Sequence, residues 1–277
     1  MPTPRTLVLT ALALLAFAAN SLLCRHALAA TSIDAASFTL LRLAAGALLL
    51  GAVTRRNGIR RAGTWRSALA LFGYAAGFSL AYRTLPASTG ALLLFGAVQV
   101  TMVGRGLACG ERLRAVALGG FALAVLGLLV LLLPGASAPP LGGAALMLAA
   151  GVAWGVYSLR GSGGQDPLQA TAGNFARATP MALALLLASP DELRFDLAGS
   201  VCAIVSGALA SGLGYVVWYT ALRGLTNTAA AAAQLAVPVL TALAGAVVLD
   251  EPLTVRLGVA GAAVLGGIAL VIGGRRH

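Results

Sequence analysis

Apolar residues run along this chain in long stretches, and polar residues collect in the short gaps between them. The stretches show no period-2 alternation, so they do not read as barrel strands. In hydrocarbon, each backbone N–H and C=O must be paired within its own segment, which leaves the helix. Ten spans follow: Leu7–Ala27, Ala35–Val53, Trp65–Tyr82, Ser88–Ala108, Ala115–Leu133, Leu141–Leu159, Ala170–Ala188, Leu197–Leu222, Thr228–Leu249 and Val255–Ile272. Each is close to the length needed to cross a ~30 Å hydrocarbon core. The pattern predicts an all-α polytopic membrane protein with no extramembrane domain.

Composition supports that solvent. Of the 277 residues, 59% are hydrophobic and 10% charged, whereas a soluble domain carries about 25% charged residues. The formal net charge of +11 comes entirely from arginine on the basic side. Such a balance can mark a nucleic-acid binder, but these arginines sit in the gaps between apolar runs. With the N-terminus in the cytoplasm, thirteen of the 19 fall in inner gaps and four in outer ones. The positive-inside bias therefore predicts a multi-pass protein of the cell (inner) membrane with both termini cytoplasmic and no nucleic-acid partner. Arg5 followed by Leu7–Phe17 resembles a signal peptide, but the apolar run continues and nine more follow, so a first span is expected. Cys24, Cys109 and Cys202 lack the spacing of a disulfide framework or metal motif and are expected to pack in the core.

The chain also repeats itself at half-length. Arg25 and Arg42 recur as Arg160 and Arg177, and Leu48–Leu50 has its counterpart in Leu185–Leu187. Further on, after a five-residue shift in offset, Arg83, Leu85, Glu111, Leu113 and Gly127 recur as Arg223, Leu225, Glu251, Leu253 and Gly267. Each half holds five helices. Five is odd, so the second half enters the membrane from the opposite side. This predicts two inverted five-helix repeats, residues 1–133 and 134–277, with a substrate site near the midplane between them.

Two segments, Ala87–Val130 and Asn227–Val271, carry a shared pattern of loop, helix, glutamate, leucine two residues on, and glycine-rich helix. The second copy is sharper: Tyr219-Thr220-Ala221-Leu222, Pro238-Val239-Leu240, Asp250-Glu251-Pro252-Leu253-Thr254 and Gly266-Gly267. It resembles the drug/metabolite transporter superfamily, EamA type, including the YddG-like amino-acid exporters. Arg42 in the second helix matches that family's arginine. The first copy departs from the pattern, with Gly110-Glu111-Arg112 for the Glu-Pro pair and Val98 opposite Pro238. These motifs shape helix ends. The resemblance implies export or exchange of amino acids and related metabolites.

The residues themselves assemble no catalytic set, metal cluster or cofactor loop. His26 lies near an outer helix end and His277 at the terminus, so no enzyme is expected. All eight acids fall in loops or at helix ends. Proton-driven pumps usually place an acid within the membrane, so uniport or exchange is expected here. Glu111, Glu251 and Pro238 read as structural helix-end residues, the glutamates capping or pairing with Arg112, Arg114 or Arg256. Arg42 and Arg177 are charges within spans and must find partners. They are either structural, bonded to carbonyls or a helix-end glutamate, or anchors for a substrate carboxylate.

Uncharged polar and aromatic residues are the candidates for a substrate cavity: Asn20, Phe78, Ser79, Tyr82, Gln99, Trp154, Tyr157, Ser158, Ser211, Tyr215 and Gln234. A buried amide needs partners, which other helices or a wet cavity supply. For Tyr82, Tyr157, Tyr215, Trp218 and Tyr219 the alternative is an interfacial aromatic belt. Helices 1, 3, 4, 6, 8 and 9 should line the cavity, and helices 5 and 10 should brace the bundle or face lipid. A pocket of amides, hydroxyls and rings suits a neutral or zwitterionic small molecule. The expected function is a secondary transporter exporting or exchanging amino acids and related metabolites by alternating access. A multidrug or cationic-compound exporter and a non-transporting membrane scaffold are the alternatives.

Overall fold

The computed structural model describes residues 3–54, 62–109, 115–135, 138–161, 166–189, 193–225, 230 and 233–274. The described residues form helices joined by short connections, without strands. In chain order the helices are α1 (Pro4–Ala30), α2 (Ala35–Val53), α3 (Trp65–Tyr82), α4 (Ala87–Ala108), α5 (Ala115–Leu132), α6 (Leu141–Gly161) and α7 (Pro167–Leu187). They are followed by α8 (Leu197–Leu222), α9 (Ala236–Val248) and α10 (Val255–Gly274). Six of them, α1, α2, α4, α5, α6 and α8, are long and apolar enough to cross a membrane.

Local chemistry sets where several helices begin. Thr3 accepts a hydrogen bond from the Thr6 N–H with Pro4 in the first turn, which starts α1 before its apolar run. Asp34 accepts from the Ala36 and Ser37 N–H groups, each at 2.8 Å, and opens α2. Thr64, Asp166 and Asp196 do the same for α3, α7 and α8. Helix α4 is different. Its cap position is Pro86, which offers no side-chain acceptor. The Ala87 N–H donates instead to Glu251 Oε2 at 2.6 Å, from the other end of the chain. A carboxylate there also meets the positive end of the helix dipole.

Packing joins distant helices. The most extensive pairing is α5 with α10, followed by α1 with α8, α3 with α6, α2 with α8, and then α2 with α7 and α4 with α6. Helix α1 packs on α8 and α9, and α2 packs on α8. In α5 and α10, small residues let the backbones meet, which in lipid replaces hydrophobic driving force with close van der Waals contact. A Cβ on Gly267 would fall 2.6 Å from the Ala124 nitrogen, and one on Gly127 would fall 2.9 Å from the Val264 nitrogen. Large apolar side chains on the outer faces stay exposed, including Leu7, Leu12, Leu118, Leu126, Val247 and Val255. With the six long spans, this makes the molecule a multi-pass membrane protein whose outer surface is solvated by lipid.

Helix α8 is not uniform. Its middle, Ser206–Leu213, is π-helical, with i→i+5 spacing. The wider turn brings Ser206 and Ser211, five residues apart, towards one partner. Cysteine placement differs from expectation: Cys24 is buried, Cys202 is half-buried, and Cys109 is exposed at the end of α4.

Candidate functional site

The side chain that organises the interior is Arg42. It lies eight residues into α2 and is 1% exposed. Its guanidinium donates from Nε to Ser211 Oγ at 3.1 Å and from Nη2 to the hydroxyls of Tyr74 at 3.0 Å and Tyr215 at 3.3 Å. Its plane lies over the rings of Tyr74 and Phe78, with centroids 5.1 and 5.0 Å away. Nη1 is buried and donates to nothing. The one ion pair among the described residues lies elsewhere, so Arg42 is held by neutral hydroxyls and rings alone.

Asn20 ties this cluster to α1. Its Nδ2 donates to the Tyr74 hydroxyl at 3.1 Å. Its Oδ1 accepts from Ser206 Oγ at 2.7 Å and Ser211 Oγ at 3.3 Å, the pair that the π-turn brings together. Around these polar groups is a wall of rings. Trp154 meets Tyr215 at 4.6 Å, Tyr74 at 4.9 Å, Tyr157 at 5.5 Å and Phe17 at 6.0 Å between centroids. Phe17, Asn20, Tyr74, Phe78, Trp154 and Tyr215 surround a cavity of about 10 Å³, room for about one water.

Separate sets of contacts lie towards the two ends of the bundle. On the face where α1 begins, a polar recess of about 290 Å³ is lined by Thr64, Ser67, Tyr157, Arg160 and Asn174. Tyr157 is the wall between recess and cluster. Its hydroxyl accepts from Asn174 Nδ2 at 3.4 Å, and its ring contacts Trp154 and Tyr215. On the opposite face, Arg25 Nε donates to Glu251 Oε1 at 2.9 Å, and Arg25 Nη1 donates to the Tyr82 carbonyl at 3.0 Å. Together with the Glu251–Ala87 bond, this joins α1, α3, α4 and the α9–α10 connection.

The expected cavity residues divide accordingly. Asn20, Phe78, Trp154, Ser211 and Tyr215 meet at the cluster, and Tyr157 borders it. Tyr82 is fully buried but lies near the opposite face, where its hydroxyl donates to the Ala87 carbonyl. The Ser79 hydroxyl bonds the Ala75 carbonyl of its own helix. Ser158 is half-buried, and Gln234 is buried just before α9. Gln99 is 5% exposed, and its Nε2 has no hydrogen-bond partner. Tyr82, Tyr157, Tyr215, Trp218 and Tyr219 are all buried inside the bundle and form no interfacial belt.

The helix-end residues also resolve. Glu251 does cap a helix and pair with an arginine, but the helix is α4 and the arginine is Arg25. Arg256 instead bonds the carbonyls of Leu133 and Pro134. Pro238 is buried in the first turn of α9, beside an apolar crevice with Ser88 and Leu92. Glu111 lies outside the described residues, as do Arg112 and Arg114. Arg177 is half-buried, donates to the Ala62 and Gly173 carbonyls at 2.7 and 2.9 Å, and lies over the Trp65 ring. The two arginines that look equivalent in sequence thus differ: Arg177 Nη1 donates to two backbone carbonyls, whereas Arg42 donates to side-chain hydroxyls.

Sequence reasoning missed Tyr74, Phe17 and Ser206. Tyr74 had a usable signal, because Tyr74, Phe78 and Tyr82 recur at i, i+4 and i+8 on one face of α3.

The Arg25–Glu251 pair makes a prediction of its own. Glu251→Ala strips both the Arg25 partner and the α4 cap, and is expected to destabilise the protein by about 1–3 kcal/mol. The thermal unfolding midpoint in detergent reads this. In a double-mutant cycle with Arg25→Ala the two losses should be less than additive; strict additivity would show that the pair is not coupled.

An all-helical bundle with lipid-facing surfaces and a buried polar cluster defines a multi-pass membrane protein, and the comparisons with known proteins point to a transporter of small compounds. Residues 141–273 match the EamA-like transporter family. The uncharacterized protein PA1977 of Pseudomonas aeruginosa is 62% identical over 278 residues, covering 99% of this chain and 97% of that protein. A crystal structure of a protein 20% identical to this chain superposes with a TM-score of 0.70 over 100% of both chains, a likeness of fold alone. The EamA-like match covers the second half of the chain and supports the drug/metabolite transporter superfamily.

Proposed function

We propose that this protein is a secondary transporter that exports or exchanges amino acids and related small metabolites across the cell membrane by alternating access. The working parts are two inverted five-helix repeats, residues 1–133 and 134–277, with both termini cytoplasmic. The packing of the helices supports the repeat. Exchanging each helix with the one five places on turns α3–α6 into α8–α1, α4–α6 into α9–α1, and α3–α7 into α8–α2, and every one of these contacts exists. The α2–α7 and α5–α10 pairings map onto themselves.

The observation that carries the reading is the Arg42 cluster. Asn20, Arg42 and Tyr74 come from the first half, and Trp154, Ser211 and Tyr215 come from the second, so relative movement of the halves must rearrange it. Two layers of contacts, one towards each face, flank it. Opening one layer at a time is what alternating access requires. Among the described acids, Asp34, Asp166, Asp196, Asp250 and Glu251, none lies within the membrane-crossing part of a helix, which favours uniport or exchange over a carboxylate proton relay. A cationic-drug exporter fits poorly, since the buried charge is positive and would repel the substrate.

Counterflow in proteoliposomes tests this with a panel of labelled amino acids, nucleosides and cationic drugs. Uptake of amino acids, unaffected by collapse of the proton gradient, is expected. A scaffold would take up nothing. Gln99 belongs to the proposed pathway on α4. Gln99→Leu keeps similar volume while removing a buried amide, and is expected to insert normally and transport severalfold more slowly. Normal transport by that variant would remove Gln99 from the pathway.

A further inference from the structure

The transport reading leaves open which part of a substrate the protein holds, and Arg42 answers that. A guanidinium taken out of water into a low-dielectric interior loses several kcal/mol of solvation even after relaxation. Buried charges are therefore normally paired with an opposite charge. Arg42 has none: its partners are the neutral hydroxyls of Tyr74, Tyr215 and Ser211, and two ring faces. Of its three nitrogens, Nε and Nη2 are engaged, while Nη1 is buried and unpartnered. Arg177, by contrast, donates from Nη1 to two backbone carbonyls. The interior thus holds a positive charge and a spare donor, set among rings at the joint between the two halves.

We infer that Arg42 is the binding site for a carboxylate on the substrate, and that the carboxylate, not an ammonium group, is the feature the protein requires. This rests on the transporter reading above. A planar guanidinium with a free N–H matches a carboxylate oxygen. The hydroxyls of Tyr74 and Tyr215 already bond the same guanidinium, and both residues also line the central cavity. Trp154, Phe17 and Phe78 offer apolar surface to the rest of the molecule. No acidic side chain among the described residues hydrogen-bonds within the cluster, so a substrate ammonium finds ring faces and neutral oxygens but no carboxylate. The cavity of about 10 Å³ is too small for such a ligand, so binding must part the rings around Trp154. A carboxylic acid without an amino group should bind as well as, or better than, the matching amino acid.

The experiment uses the full-length purified protein in detergent and four probes that share one apolar body: 3-phenylpropanoate, L-phenylalanine, 3-phenylpropanamide and L-phenylalaninamide. Intrinsic tryptophan fluorescence and the thermal unfolding midpoint report binding. Both carboxylates should bind, with 3-phenylpropanoate at least equal to phenylalanine, and both amides should bind at least about tenfold more weakly, the worth of one charge-assisted hydrogen bond. Arg42→Gln should erase the difference between acid and amide. The probe series stands on the unmodified protein, so it does not depend on that variant folding. Amides binding as well as acids, neither carboxylate binding at millimolar concentration, or a strict need for the ammonium would each overturn the inference. Carboxylate binding without counterflow would leave the site intact and sink the transport reading. Counterflow with no preference for carboxylates would do the reverse.

Discussion

Gly207→Val is expected to leave little folded protein in the membrane. Gly207 sits in the π-helical stretch of α8, against the backbone of α2. A Cβ there would fall on the Arg42 carbonyl, 2.6 Å from its carbon and 2.7 Å from the Arg42 Cα. These are backbone atoms in the middle of a helix, so no side-chain rotation relieves the clash. The helices must separate, and the contacts among Gly46, Gly212 and Phe175 go with them. Overpacking a rigid contact costs about 3 kcal/mol or more, comparable to a large share of a typical folding free energy. Fluorescence-detected size exclusion and the thermal midpoint read the loss directly. Gly119→Ala is the control, because nothing lies within 4 Å of a Cβ at that position; it should behave as the unmodified protein. Equal behaviour of the two variants would mean that α2 and α8 do not meet as described.

Trp154→Ala is the second large effect. The indole is 4% exposed and touches rings from α1, α3, α6 and α8, so four helices lose a shared contact at once. Truncating a buried tryptophan costs about 3–5 kcal/mol. The hole would also loosen the wall between the central cavity and the recess at Tyr157. Thermal midpoints should fall in the order unmodified, Trp154→Phe, Trp154→Ala, and counterflow should be lost in the alanine variant. Normal transport by Trp154→Ala would place the substrate path away from this cluster.

The recognition of Glu251 as a helix-end residue shows how far sequence reasoning reaches and where it stops. Its neighbours Asp250, Pro252 and Thr254 mark a helix boundary, so a structural role was legible. Its partners were not, because Arg25 is 226 residues away and Ala87 is 164 away. Nothing local favours Arg25 over Arg256, which lies only five residues on in the chain. The π-turn was hidden for a related reason. Ser206 and Ser211 do not share a face in an ordinary α-helix, so a 3.6-residue period never brings them together.

What the sequence by itself determined is the class of molecule and the run of its helices. Lipid offers backbone groups no hydrogen bonds, so a long apolar stretch has one outcome whatever its neighbours do, and a pattern of such stretches can be read residue by residue. The half-length recurrence of arginine, glutamate and glycine was visible for the same reason: it is a property of the string. What only the tertiary structure decided is which residues of like chemistry are spent on the scaffold and which are left over. Arg42 and Arg177 stand at matching places in the two halves, yet one finds carbonyls and the other finds only hydroxyls and rings. Partner choice depends on the angles and distances at which α2, α3, α7 and α8 pack, and those follow from side chains meeting across the bundle, far apart in the chain.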